Sequence, residues 1–346
     1  MATDLRPRPT AGRPPRPSSA GAPAARVLVT MLLGLGLAAL VNADALVERA
    51  ERKPFGEGRD RSLAIWHPVQ DVAHITQLHR IRAGLDQGAG NEDRGGEIIA
   101  SATPDDEEAA AEPAPPPQVR QPTTADPLRV HVAGDSIVHD AGNAFLEVAA
   151  TDPLLRPTLH YENATGLTRP DFYDWPAALV DDMATHQPDV VFLLFGGNDA
   201  QGLETPGGEV FQHVAEPGWQ AEYGRRVGAV MDRLRAEGRI LVWIGLPPMR
   251  ESGFDGRAAT MTGIYRAQAE SRPWVRFLDT VPVLGDAEGN YVEAKPGPSG
   301  ATEDLRQDDG VHLSAAGARW VAEAMVAQVR DLVAEGAEAT TTTAAP

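Results

Sequence analysis

The feature that most constrains this chain is the alternation of short apolar segments with helical patterns from Leu128 onward. Apolar residues recur at helical spacing between and after these segments, around residues 141–150, 175–186, 219–237, 257–271 and 314–334. The apolar segments are RVHVAGDS, TLHYENA, DVVFLLFGGND, RILVWIGLPP and WVRFLDT. A segment such as VVFLLF, apolar at every position, is typical of a strand buried on both faces of a parallel sheet. The pattern predicts a three-layer α/β/α domain over residues 127–335.

Composition excludes several classes of function. The formal net charge of the 346 residues is -18, which argues against a nucleic-acid partner because binding to phosphate backbones needs clustered Lys and Arg. The chain has no cysteine. Disulfides, thiolate nucleophiles and cysteine-based metal sites are therefore excluded.

The N-terminal region predicts a membrane-targeting segment. Residues 1–26 are rich in Pro, Arg, Ala and Gly and predict a disordered basic tail. The run VLVTMLLGLGLAALVNADAL, residues 27–46, predicts a signal anchor that crosses the membrane once, with the basic tail in the cytoplasm and the following domain outside it. Cleavage near Ala45, after a small-x-small site, is the alternative and would release a secreted protein. A buried core helix is a third interpretation of the same run.

Three further segments flank the predicted domain. Residues 47–85 predict a juxtamembrane amphipathic segment, and its histidines do not repeat on one face as metal ligands would. Residues 86–126 predict an acidic, Pro-rich linker, because they contain too little apolar surface to fold. Residues 336–346 predict a disordered tail.

The candidate nucleophile is Ser136, which follows Gly134 and Asp135 at the end of the first predicted strand. Open parallel sheets bind ligands at the carboxyl ends of their strands. A serine in such a strand-to-helix turn can project from the sheet, but it needs a neighbouring base to become nucleophilic.

The candidate base and its orienting carboxylate lie in DDGVH, directly before the last predicted helix. Asp309 and His312 are three residues apart, so one short turn can place the carboxylate beside the imidazole. Asp308 is an alternative orienting residue. A helix cap or half of a metal site would also explain this stretch taken alone.

The candidate oxyanion hole combines donors from three strand ends. Its members are the backbone N–H of Ser136, the backbone N–H of Gly166 and the side-chain amide of Asn198. GDS and GGND are each common in turns when taken alone, so the prediction depends on their combination and order.

The set GDS, a loop glycine, Gly-x-Asn-Asp and Asp-x-x-His resembles the four sequence blocks of the SGNH/GDSL hydrolase superfamily over about residues 128 to 335. The resemblance implies a flavodoxin-like α/β/α fold, a Ser136–His312–Asp309 triad and an oxyanion hole from Ser136, Gly166 and Asn198. GDSI replaces GDSL here, an exchange of one apolar residue for another. The apolar segment, the linker and TGLTRPDFYDWP further resemble a bacterial branch of membrane-anchored envelope members.

These observations predict an extracytoplasmic serine esterase that cleaves O-acyl esters, such as O-acetyl groups, on cell-envelope carbohydrate, without a metal or another cofactor. Phe172, Tyr173 and Trp175 could stack on a sugar ring or pack beneath their loop. An O-acetyltransferase with the same triad and a non-catalytic envelope module that binds polysaccharide or protein are alternatives. A metal-dependent phosphoesterase is another, and its metal ligands would be Asp135, Asp199, Asp309 and His312.

Overall fold

The computed structural model of the protein describes residues 24–51, 57–76 and 117–343. The chain divides into two compact units. The first contains the N-terminal helices and the second contains the α/β domain, and each is described by itself.

The N-terminal unit is helical. Its elements are α1 (Ala24–Val41), α2 (Ala43–Glu51) and most of α3 (Glu57–Ile75). The run 27–46 is therefore divided between two helices, and large apolar side chains such as Leu33, 69% exposed, are exposed along α1. Asp44 accepts hydrogen bonds from Gln70 at 2.9 Å and from His74 at 2.7 Å. No helix in residues 24–51, 57–76 or 117–343 is both long enough and apolar enough to cross a membrane.

The second unit is built on a five-stranded parallel sheet. Two short antiparallel pairs, which the sequence patterns did not predict, stand outside it. The strands are β1 (Leu128–Gly134), β2 (Leu155–Tyr161), β3 (Val190–Leu194), β4 (Leu203–Glu204), β5 (Val210–Phe211), β6 (Ile240–Ile244), β7 (Val275–Leu278), β8 (Ala294–Pro296) and β9 (Thr302–Asp304). The parallel sheet has the order β2-β1-β3-β6-β7, while β4 pairs with β5 and β8 with β9. This is the flavodoxin-like strand order, and it confirms the predicted fold class.

Helices cover both faces of the sheet. They are α4 (Ser136–Ala149), α5 (Trp175–His186), α6 (Pro217–Arg233), α7 (Ser252–Glu270), the short α8 (Val281–Leu284) and α9 (Ala315–Thr343). One layer contains α4 and α9, which pack against each other, and the opposite layer contains α5, α6 and α7 in succession.

Buried apolar residues explain why these segments form a sheet between helices. Every residue of β3 and of β6 is buried, as expected for central strands covered on both sides. Phe145 of α4 packs on Phe192 of β3, with ring centroids 5.8 Å apart. On the other side, Trp243 of β6 packs on Tyr265 of α7, with ring centroids 5.3 Å apart.

The strand order places a binding crevice beside β1. β1 pairs with β2 on one side and with β3 on the other. The helix after β1 packs in the layer of α9, whereas the helix after β3 lies in the layer of α7. The connections from β1 and β3 thus leave in opposite directions, which opens a crevice at their carboxyl ends.

Both ends of the domain extend beyond the range 127–335. Val119 is buried, and Arg120 donates to Asp189 at 3.0 and 3.1 Å, so residues 117–126 pack on the domain instead of continuing the linker. At the other end α9 continues to Thr343, eight residues past the predicted boundary, where a disordered tail was expected. The predicted linker before residue 117 and the predicted tail before residue 24 lie outside the described residues.

Candidate active site

Ser136 lies at the carboxyl end of β1, as the first residue of α4. Asp135 caps the helix because its carboxylate accepts the backbone N–H of Ile137 at 2.9 Å. The cap ends the strand and starts the helix within two residues. Ser136 is therefore held in a sharp turn, and it is only partly buried.

The imidazole of His312 lies between Ser136 and Asp309. His312 Nε2 is 3.0 Å from Ser136 Oγ, and His312 Nδ1 is 2.6 Å from Asp309 Oδ2. A carboxylate accepts hydrogen bonds only, so the proton on Nδ1 leaves Nε2 free to accept the serine hydroxyl. The three predicted catalytic residues are thus joined although 176 positions separate Ser136 from His312.

A tight turn before α9 creates the contact between Asp309 and His312. The backbone N–H of Gln307 donates to the carbonyl of His312 at 2.9 Å, and Gly310 has a φ of +71°, a conformation that glycine adopts without strain. Asp309 Oδ1 accepts the N–H groups of Val311 and His312 at 2.8 and 3.0 Å. The structure places the carboxylate of Asp309, not that of the alternative Asp308, on the imidazole.

The hydrogen bonds of Asp309 also set its charge. Partial burial opposes ionisation of this carboxyl, but hydrogen bonds from the His312 ring and from the backbone of Val311 and His312 lower its pKa below the usual range. Its side chain is 47% exposed, and that of His312 is 31% exposed. The pair is therefore an ionised carboxylate and an imidazole at an open surface.

Asn198 and Gly166 lie on neighbouring loops that touch. Asn198 follows β3, and its side-chain amide donates to the carbonyl of Thr165 at 3.1 Å. One N–H of this amide remains for another acceptor. This bond holds the peptide group between Thr165 and Gly166 in place. The loops that carry the three proposed oxyanion donors meet at the crevice between β1 and β3.

Comparison with known proteins places this chain in a family. The model of a family described as "Protein of unknown function (DUF459)" matches residues 129–328, more than half of the chain. The chain belongs to the DUF459 family. No curated protein matches this DUF459 protein.

Several solved structures are similar to this DUF459 protein at low identity. An alpha/beta hydrolase from the metagenome of Lake Arreo, Spain, is 17% identical, with 58% of this chain and 94% of the other covered and a TM-score of 0.41. A GDSL-like lipase from Bacteroides thetaiotaomicron is 13% identical, with coverages of 63% and 92% and a TM-score of 0.41. A catalytic mutant of an acetylxylan esterase from Geobacillus stearothermophilus is 14% identical, with coverages of 58% and 94% and a TM-score of 0.41.

Two buried carboxylates of this DUF459 protein join the loops of the site. Besides capping α4, Asp135 accepts the N–H groups of Gly196 and Gly197, each at 2.8 Å. Burial raises the pKa of Asp135 to about 7, and the charge of Asp199 contributes, while the three backbone donors oppose the shift. Asp135 therefore ties the turn of the nucleophile to the loop after β3.

Asp199 has the corresponding role between the loops after β2 and β3. It is fully buried and accepts the N–H and the hydroxyl of Thr168, at 2.8 and 2.9 Å, and the hydroxyl of Tyr223 at 2.7 Å. From the sequence, both aspartates were predicted only as possible metal ligands. Their positions, directly beside Ser136 and Asn198, are the only sequence signal of these roles.

The placement of these aspartates does not fit the metal-dependent alternative. Asp135 and Asp199 bind neighbouring loops, whereas Asp309 binds His312. Within the part of the chain that the structure describes, no group of three or more His, Asp or Glu side chains could hold a metal ion. The four residues thus act at separate points of the site.

The structure decides the role of Trp175, one of the three aromatic residues after Gly166. Trp175 is fully buried, and its indole N–H donates to the Thr165 hydroxyl at 2.8 Å, so it supports the loop and is not available to a sugar ring. The Tyr173 hydroxyl lies 3.0 Å from His160 Nε2. For Trp175, packing beneath the loop is therefore the correct interpretation.

Proposed function

We propose that this DUF459 protein is a serine esterase that hydrolyses O-acyl esters through a covalent acyl-enzyme. The observation that carries the proposal is the position of His312, 3.0 Å from Ser136 Oγ and 2.6 Å from Asp309 Oδ2. A serine, a base and a carboxylate in this arrangement make the hydroxyl nucleophilic at neutral pH.

The chemistry proceeds in two halves. In the first, His312 Nε2 takes the proton of Ser136, and Oγ attacks the carbonyl carbon of the ester. The bond to the alcohol then breaks, and His312 gives the proton to the leaving oxygen. In the second, His312 takes a proton from water, the resulting hydroxide attacks the acyl-enzyme, and the carboxylic acid leaves as Ser136 regains its proton.

Asp309 and the three donors have separate roles in this scheme. The carboxylate of Asp309 holds the proton on His312 Nδ1 and stabilises the imidazolium that forms. The backbone N–H groups of Ser136 and Gly166 and the amide of Asn198 bind the negative oxygen of the tetrahedral intermediate.

We further infer that the substrate is an O-acyl group, such as an O-acetyl group, on carbohydrate of the cell envelope. The open surface at Asp309 and His312 supports a bulky alcohol partner, because neither side chain lies at the bottom of a narrow cavity. The extracytoplasmic location stays a prediction from the apolar run 27–46. Fractionation of cells that produce the full chain, with protease added to intact cells, tests it.

The deciding experiment measures p-nitrophenyl acetate turnover and fluorophosphonate labelling of the full chain, beside Ser136→Ala. We expect turnover and labelling in the wild type and neither in the variant, because the base His312 lies beside Ser136. Ser252→Ala is a matched control, since Ser252 is also the first residue of a helix and is exposed. Turnover in Ser136→Ala equal to that of the wild type would contradict the proposal.

A folded wild type without turnover or labelling would instead favour the non-catalytic module. Adding an acylated oligosaccharide donor and a sugar acceptor separates hydrolysis from transfer, because a transferase forms a new sugar ester and a hydrolase releases free acid.

A further inference from the structure

Helix α6 holds the loop that carries Gly166. Arg226 Nη1 donates to the carbonyls of Leu167 and Thr168 at 2.9 and 3.0 Å, and Nη2 donates to the carbonyl of Glu204. Its Nε binds Glu222 at 2.7 Å, and only 11% of its side chain is exposed. One guanidinium thus joins the loop after β2 to the β4 strand that follows the loop after β3.

A second arm from the same helix reaches the loop through Asp199. Tyr223 lies one turn before Arg226 and donates to Asp199 Oδ2 at 2.7 Å. The Tyr265 hydroxyl of α7 lies 2.9 Å from that of Tyr223 and donates to the carbonyl of Phe195 at 3.2 Å. Both tyrosines are fully buried, so the carboxylate of Asp199 has little freedom to move.

The loop is bound at two of its peptide groups. The peptide between Leu167 and Thr168 is bound at its carbonyl by Arg226 and at its N–H by Asp199. The peptide between Thr165 and Gly166 is bound at its carbonyl by Asn198. Gly166 stands between these two bound peptide groups, so the position of its N–H depends on Asn198 and on the contacts that originate on α6.

We propose that Arg226 and Tyr223 are positioning residues that hold residues 165–168 so that the Gly166 N–H points at the oxyanion. The proposal rests on the esterase activity proposed above, and neither side chain touches substrate in it. A displacement of about 1 Å in such a donor can cost on the order of 100-fold in rate.

The test uses Arg226→Met, Tyr223→Phe and the matched control Arg225→Met in the full chain. Arg225 lies next to Arg226 and binds the same Glu222 at 2.7 Å, but its side chain is 55% exposed, and its described bonds do not reach the loop. Steady-state kinetics with p-nitrophenyl acetate are measured from pH 5 to 9, well below the Tm of each variant.

We expect kcat to fall by roughly 10- to 100-fold in Arg226→Met and Tyr223→Phe, because a loosened loop misplaces a donor used in the transition state. KM should stay within about twofold, since the lost interaction acts on the transition state. In the plot of kcat/KM against pH, the midpoint of the acidic limb should not change, because neither residue contacts His312. Arg225→Met should keep the wild-type kcat.

Equal kcat values in Arg226→Met and Arg225→Met would overturn the proposal. A shift of the acidic midpoint of the kcat/KM pH profile in Arg226→Met or Tyr223→Phe would also overturn it. If Arg226→Met does not fold, Arg226→Lys and Tyr223→Phe decide in the same way, because Lys keeps the charge but loses the planar set of donors. A wild type without turnover or fluorophosphonate labelling would overturn the esterase assignment and this proposal with it. Full labelling of a slow Arg226→Met shows that the nucleophile is intact and supports the positioning role.

Discussion

At the scale of single residues, the site depends on side chains that each satisfy two partners. His312 binds Ser136 and Asp309, while Asp135 binds the helix turn at Ile137 and the glycine loop after β3. A residue with two partners fixes one partner relative to the other. Substitution of such a residue should therefore change the rate more than its own contact energy indicates.

Asn198→Ala should lower kcat by roughly 10²–10³, because it removes a proposed oxyanion donor and also frees the Thr165 carbonyl. The measurement is p-nitrophenyl acetate turnover of the full chain. Asn143→Ala is the control, since Asn143 is exposed on α4. A loss of less than threefold in Asn198→Ala would mean that GGND is only a turn.

Gly166→Ala should reduce both stability and turnover. A Cβ at this position would lie 2.2 Å from Asp199 Oδ1, and the buried carboxylate has no space to retreat. We expect a loss of about 1–3 kcal/mol in unfolding free energy, typical of overpacking, together with a lower kcat. Urea unfolding and turnover check this.

The control is Gly263→Ala, because nothing lies within 4 Å of a Cβ at Gly263 and the position is exposed on α7. This variant should be as stable as the wild type or more stable, with unchanged turnover. A Gly166→Ala protein that behaves in the same way would show that the loop is free to move.

At the scale of elements, an ion pair connects the edge strand β2 with α5 behind the Gly166 loop. His160 Nδ1 lies 2.6 Å from Asp182 Oδ2, and His131 Nε2 lies 3.3 Å from the same atom. The hydrogen bond that His160 donates to Asp182 raises the pKa of His160 above 6.5, although burial opposes the shift. For Asp182, burial opposes ionisation, but the two histidines lower its pKa below 3.8.

The two pKa shifts determine how the stability of the fold changes with pH. The raised pKa of His160 stabilises the fold fully below about pH 6.5, and this contribution is lost as pH rises through the folded pKa. The lowered pKa of Asp182 stabilises the fold above about pH 3.8, and this contribution is lost as pH falls. The pair should contribute most between these limits.

A double-mutant cycle with His160→Asn and Asp182→Asn measures this coupling by urea unfolding at pH 5.5 and pH 8.5. The coupling energy should be larger at pH 5.5. Asp181→Asn replaces Asp182→Asn in a control cycle, because Asp181 is the exposed neighbour on α5 and should show little coupling. An equal or larger coupling at pH 8.5 for the His160–Asp182 cycle would contradict the assignment.

At the scale of the whole molecule, the segment before β1 is part of the folded domain. Arg120 binds Asp189 and the carbonyls of Asp126 and Pro127, while Gln121 Nε2 donates to the carbonyl of Val333 in α9 at 2.7 Å. These contacts lie at the amino ends of the strands. They contribute to stability from the side opposite to the active site.

Arg120→Met should lower the free energy of unfolding by about 1.5–3 kcal/mol, because it removes hydrogen bonds to the carboxylate of Asp189. Turnover below the Tm should be unchanged, since Arg120 is far from Ser136 along the strand. Arg156→Met, at an exposed position of β2, is the control and should leave stability nearly unchanged. An Arg120→Met protein as stable as its control would mean that residues 117–126 are only a linker.

Apolar periodicity, strand-end polarity and motif order were sufficient to predict the three-layer fold and to select Ser136, Asp309, His312, Asn198 and Gly166. These signals are local. A strand that is buried on both faces is apolar at adjacent positions, and a turn before a helix has polar residues at adjacent positions. The domain limits were less accurate, because residues 117–126 are stabilised by Asp189 and Val333, which are distant in sequence.

Local sequence patterns specify which chemical groups this protein has, and they indicate that a parallel sheet brings its strand ends to one edge. The tertiary structure was needed to show that His312 meets Ser136, and that Asp135 and Asp199 join loops. It also placed Arg226 behind the Gly166 loop. Such assignments depend on contacts between residues far apart in the chain, and no pattern among neighbouring residues specifies which distant partner a side chain will meet.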